Sequence, residues 1–157
     1  MRKNQIKNTV NDLIETYGTR NPYLLASYLD VTIQYGDLGE LQGCYMKIWD
    51  KKFIYINDRI EDDKLRDTVV AHELAHSIMH NEDYYFFSYG KQFQSNKTEI
   101  EAHTFAAELL IPDETIIEHP GYTLDQLSSL TGYAERLVSF KSCLLYTSDA
   151  ADDRISV

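Results

Sequence analysis

The sequence predicts a single α+β domain: a small antiparallel sheet of about three strands near the N-terminus, packed by helices. Three observations carry this. Apolar residues recur at helical spacing near the N-terminus and again over 62–80 and 97–110. Between the first two of those stretches lie three short runs rich in β-branched and aromatic side chains, VTIQY, CYMKIW and FIYIN. The chain's 157 residues, 43% hydrophobic and 12% aromatic, suit one domain, and no repeat or low-complexity linker divides them.

Residues 4–17 place Ile6, Val10, Leu13, Ile14 and Tyr17 on one helical face, and Gly18 can close that helix. Asn21-Pro22 supplies an N-cap and a first-turn proline for a short helix to about Leu29. Strands follow at 31–35, 44–49 and 53–57, the last two joined as a hairpin through Asp50-Lys51-Lys52. A helix over 62–80 opens with acids, which suit the positive end of the helix dipole. Residues 81–95 read as an aromatic-rich loop, a satellite core more readily than a substrate lid. A helix over 97–110 stops before Pro112. Two short helices close the domain, one opening at the capping box Thr123-x-x-Gln126 and one spanning 133–141.

Composition excludes several functions. A formal charge of −10 argues against direct nucleic-acid binding, which depends on clustered Lys and Arg. No apolar run approaches the roughly 18 residues of a membrane span, and the N-terminus lacks the pattern of a signal peptide. Cys44 and Cys143 make no disulfide framework, so the expected setting is the cytoplasm. Residues 143–157, CLLYTSDAADDRISV, resemble a translation of the transposon-end adapter used in sequencing libraries. One reading frame of that adapter encodes Cys143 to Asp152 without a mismatch. The domain is therefore read as 1–142, with 143–157 as adapter read-through rather than native protein.

The chemistry concentrates in His72-Glu73-Leu74-Ala75-His76. Histidines four apart on a helix share a face, so both imidazoles can reach one Zn²⁺ at about 2.0–2.1 Å. Glu73 beside them can act as a base toward a water that the metal activates. A catalytic zinc needs a third protein ligand, and the downstream candidates are Glu99, Glu101 and His103. Glu99 shares a face with the small apolar residues Ala102, Ala106 and Leu109, the side able to press against the first helix; Glu101 lies on a mixed side with Thr104, Phe105 and Glu108. Glu99 is favoured, with capping Asn96 as its competing role. Glu101 and His103 are read as solvated, or as orienting a ligand from behind. His80 is read as stabilising the helix C-terminus or orienting a ligand, His119 as a loop residue and Cys44 as core.

These motifs resemble the ImmA/IrrE family of bacterial and phage metallopeptidases, whose usual text is HELGHxxxH followed by E-x-x-A-[ND]-x-F-A-x-x-L-L-x-P. Here the text is HELAHSIMH and, further on, EIEAHTFAAELLIP. YGTRNPYLLASYLDV, GCYM and KKFIYIN extend the likeness upstream, so that it covers about Asn4 to Lys141. Ala75 replaces the usual glycine, and His103 stands where Asn or Asp is usual. The resemblance implies a zincin-like fold, zinc held by His72, His76 and a glutamate matching Glu99, and a catalytic Glu73. It further implies an endopeptidase that cuts a helix-turn-helix repressor encoded separately, derepressing a prophage or mobile element. A substrate peptide is expected to pair with an edge strand, 44–49 or 53–57. The alternative is a zinc-containing regulator or toxin–antitoxin effector that acts by binding its partner.

Overall fold

The computed structural model describes residues 3–80, 84–88 and 97–143. The elements run α1 (Lys3–Tyr17), α2 (Pro22–Tyr28), β1 (Val31–Gly36), β2 (Leu41–Ile48), β3 (Lys51–Asn57), α3 (Asp63–Met79) and β4 (Tyr84–Ser88). They continue as α4 (Lys97–Leu110), α5 (Asp113–Ile117), α6 (Leu124–Thr131) and α7 (Glu135–Val138). The architecture is α+β. Cys143 is half-buried at the edge of the core, and the rest of the suspected adapter segment lies outside the described residues, as do 89–95 of the aromatic stretch.

Local chemistry sets the helix starts. The Asn21 side chain accepts hydrogen bonds from the backbone N–H groups of Tyr23 (2.9 Å) and Leu24 (3.3 Å), and Asp62 does the same for Lys64 and Leu65 at the head of α3. Thr123 and Gln126 form the reciprocal capping box of α6. Trp49 and Asp50, both at positive φ (54° and 63°), make the two-residue turn between β2 and β3. Positive φ at both central positions matches the twist of the flanking strands, so the hairpin is tighter than the three-residue link expected.

The sheet departs from the expected three antiparallel strands. Among the described residues it has four, in the order β1-β3-β2-β4, and β1 runs parallel to β3. The link over 37–40 arches across the end of β3, so β1 and β2 come to flank the same strand. Asn57, the last residue of β3, pins that arch: its amide donates to the carbonyls of Gly39 (3.0 Å) and Leu41 (2.8 Å). The fourth strand comes from residues read as loop. Its YYFFS run has strand-forming side chains but no polar alternation to reveal them. Both strands expected to offer an edge to a peptide, β2 and β3, are interior; the edges are β1 and β4, and β4 packs against α3.

Helix α3 lies between the sheet and α4 and is buried from Thr68 to Ser77. Ile54 and Ile56 of β3, Val69, Val70 and Leu74 of α3, and Phe105, Ala106 and Leu109 of α4 form the centre of the core, with Ile6 and Val10 of α1 against it. Gly43 permits the closest approach of β2 to α3. A Cβ there would collide with the Val69 side chain, and it would stand only 3.8 Å from Cγ of Glu73. Helix α4 is enclosed on all sides from Glu101 to Leu109, because α1 and α7 pack on it as well as α3. The side carrying Glu101, Thr104 and Glu108 is therefore buried too.

Candidate metal centre

The middle of α3 and the first turn of α4 face each other, and three side chains converge between them. Nε2 of His72 and Nε2 of His76 lie 3.3 Å apart. Oε2 of Glu99 lies 2.8 Å from the first and 3.3 Å from the second. Two imidazole nitrogens and a carboxylate oxygen, bound tetrahedrally at zinc distances, stand about 3.3–3.4 Å from one another. The mutual spacing here is close to that, and the donor set is one that zinc accepts. Both histidines are fully buried, and Glu99 is mostly so. Among the described residues, these three are the group able to hold a metal ion.

Electrostatics favour the same reading. Burial pushes the His72 imidazole down to about 4, keeping the ring neutral with a lone pair to offer at neutral pH. Burial works against ionised Glu99, but hydrogen bonds from His72 and His76 outweigh it and hold the carboxyl well below its ordinary value. Glu73 points the other way: burial first, then the charge of Glu99, pushes it well above. It is completely buried, and neither of its carboxylate oxygens has a hydrogen-bond partner among the described residues. An orphaned buried carboxylate costs several kcal/mol by desolvation, on the order of what a buried charge loses when unpaired. A cation held by the three converging side chains would give it a partner.

Behind the donors stand two hydrogen-bonded chains. Nδ1 of His72 lies 3.2 Å from Nδ1 of the fully buried His103, so the histidine at the usual Asn or Asp position still faces the first donor ring. Nδ1 of His76 lies 2.8 Å from Nδ1 of His80, whose Nε2 lies 2.9 Å from Oε1 of Glu101. Glu101 thus faces His80 rather than the cluster. The solvated alternative for Glu101 and His103 fails, because α4 has no wet side along 101–109. The link from His80 to Glu101 was illegible in sequence: it joins the cap of one helix to another helix, and its only trace is the i, i+4 spacing of His76 and His80. His119 bonds locally to the Thr115 carbonyl (2.7 Å). Cys44 is buried in β2, and burial, with the charge of Glu73, pushes its thiol up to about 11, so it is no nucleophile.

A helix presenting two histidines and a glutamate to a second helix's carboxylate, over a small sheet, is the arrangement of a metallopeptidase. The chain belongs to the peptidase M78 family: the family model, described as IrrE N-terminal-like domain, matches residues 26–137. It is 35% identical over 140 residues to an "uncharacterized immunity region protein 2" of Bacillus phage phi105, covering 87% of this chain and 88% of that protein. It is 27% identical over 143 residues to metallopeptidase ImmA of Bacillus subtilis strain 168, covering 87% of this chain and 83% of the relative.

Proposed function

We propose that the protein is a zinc endopeptidase of the cytoplasm that cleaves a helix-turn-helix repressor and so derepresses a prophage or mobile element. The observation that carries the chemical part is Glu73: a buried carboxylate with no partner among the described residues, beside three converging donors. A purely structural zinc site has no use for such an acid and usually closes its fourth position with Cys or His. The biological part is supported by the relatives, one a phage immunity-region protein and one a metallopeptidase.

In this reading His72, His76 and Glu99 hold the zinc. When bound, the zinc supplies a polarised scissile carbonyl and a water whose pKa falls toward about 7. Glu73 would serve as the base that accepts a proton from the attacking water and passes a proton to the leaving amine. His103 holds the ring of His72 from behind. An extended substrate segment pairs with the β4 edge, the edge that packs against α3; backbone pairing gives affinity with little sequence demand. Specificity then comes from docking the folded repressor.

The test is in cells carrying the element. Expression of the wild type lowers the level of intact repressor and raises transcription of the element, while Glu73→Gln does neither. Equal derepression by Glu73→Gln overturns proteolysis in favour of action by binding.

A further inference from the structure

With a metal held on the Nε2 atoms of His72 and His76, the hydrogen bonds behind the cluster call for a definite assignment of protons. Nε2 of His72 and Nε2 of His76 both face Glu99 and each other, so these are the nitrogens that present lone pairs to a metal. Each neutral ring then carries its proton on Nδ1. Nδ1–H of His76 points at Nδ1 of His80, 2.8 Å away, which must accept. The proton of neutral His80 is therefore on Nε2, and that N–H points at Oε1 of Glu101, 2.9 Å away. A carboxylate oxygen is an acceptor for this donor.

We infer that His80 and Glu101 are positioning residues: through two hydrogen bonds they fix the tautomer and ring orientation of His76 and so strengthen its hold on the metal. This rests on the metal-site reading above and adds a role for two residues to it. The side chains of His80 and Glu101 are 6% and 8% exposed, so the relay works away from bulk water, where hydrogen bonds are stronger. His72 is served differently. Its partner at 3.2 Å is a second imidazole, that of His103. His80 is also the C-cap of α3, its backbone N–H bonding to the carbonyl of His76, so the ring's place is fixed by the helix end.

The test measures zinc affinity of the full chain by chelator competition, with the melting temperature of the metal-free protein alongside. Glu101→Ala is expected to weaken zinc binding about 10–100-fold, the usual effect of losing such a partner. Glu101→Gln, whose amide oxygen can still accept from His80, is expected to restore most of that affinity. A merely structural role would lower the melting temperature in Glu101→Ala with affinity unchanged. Long-range ¹H–¹⁵N spectra of the zinc-loaded wild type give a readout that needs no variant: the His80 proton on Nε2 and the His76 proton on Nδ1. A proton on Nδ1 of His80, or Glu101→Ala binding zinc as tightly as wild type, overturns the relay alone. A wild type that binds no zinc overturns the metal reading and the relay with it.

Discussion

Helix α4 carries a buried polar cluster at each end, and the two differ in how completely they are satisfied. At the C-terminal end, Nζ of Lys141 donates to Oε1 of Glu108 (2.6 Å), the carbonyl of Ile111 (2.6 Å) and Oδ1 of Asp113 (2.7 Å). The backbone N–H of Ser142 donates to the other oxygen of Glu108 (2.9 Å), and Lys7 of α1 pairs with Asp113. Lys141 and Glu108 are almost wholly buried, and every charge there has an opposite charge in contact. At the N-terminal end His72 and His76 crowd around Glu99 while Glu73 has no partner among the described residues. A saturated buried network is a structural lock. A cluster that leaves a buried carboxylate unanswered among the described residues fits a site that holds a cation.

If that contrast is right, the two ends answer mutation in opposite ways. The largest effect is on metal content. His72→Ala and His76→Ala should each remove most of the roughly one zinc per chain expected for such a site, with the metal-free protein melting close to wild type. Full occupancy in both variants, by elemental analysis, would remove the open cluster from the account. Glu99→Ala should weaken zinc binding beyond the loss expected for Glu101→Ala, since it deletes a ligand rather than a support.

Next in size is the lock. Lys141→Met leaves Glu108 buried without its nearest cation and should cost about 3–5 kcal/mol in denaturant unfolding, with zinc stoichiometry unchanged. A negligible cost would show that the C-terminal cluster is not a lock.

The smallest effect is on acid stability. Burial works against ionised Asp113, but hydrogen bonds from Lys141 and Lys7 prevail and hold it down to about 2, below its ordinary 3.8. A carboxyl with a depressed folded-state pKa contributes stability that is complete above its unfolded value and lost as pH falls through the folded one. The metal-free protein should therefore lose stability between about pH 4 and pH 2, and Asp113→Asn should flatten that limb slightly, because the group is partly exposed.

Much of this was legible in the sequence, for local reasons. The helix caps at Asn21 and Thr123 and the i, i+4 pair His72 and His76 depend on neighbours a few residues away, and each stands where the spacing put it. The choice of Glu99 over Glu101 also followed from helical periodicity, and the structure brings Glu99 to the two histidines. What escaped was set by tertiary contact. The parallel pairing of β1 with β3 depends on an arch held by Asn57, which no pattern in VTIQY announces. Strand β4 lacks polar alternation, and the burial of Glu101 depends on α1 and α7 covering a side of α4 that reads as mixed.

The central claim is that the open cluster performs hydrolysis and that Glu73 is its base. The most direct measurement is the rate at which purified wild type and Glu73→Gln cut the proposed helix-turn-helix repressor substrate, followed by the mass of the fragments. Glu73→Gln keeps the size of the side chain and removes the base. The account predicts that it binds zinc and repressor as wild type does, yet cleaves at least about a hundredfold more slowly. Cleavage by Glu73→Gln at the wild-type rate would contradict it.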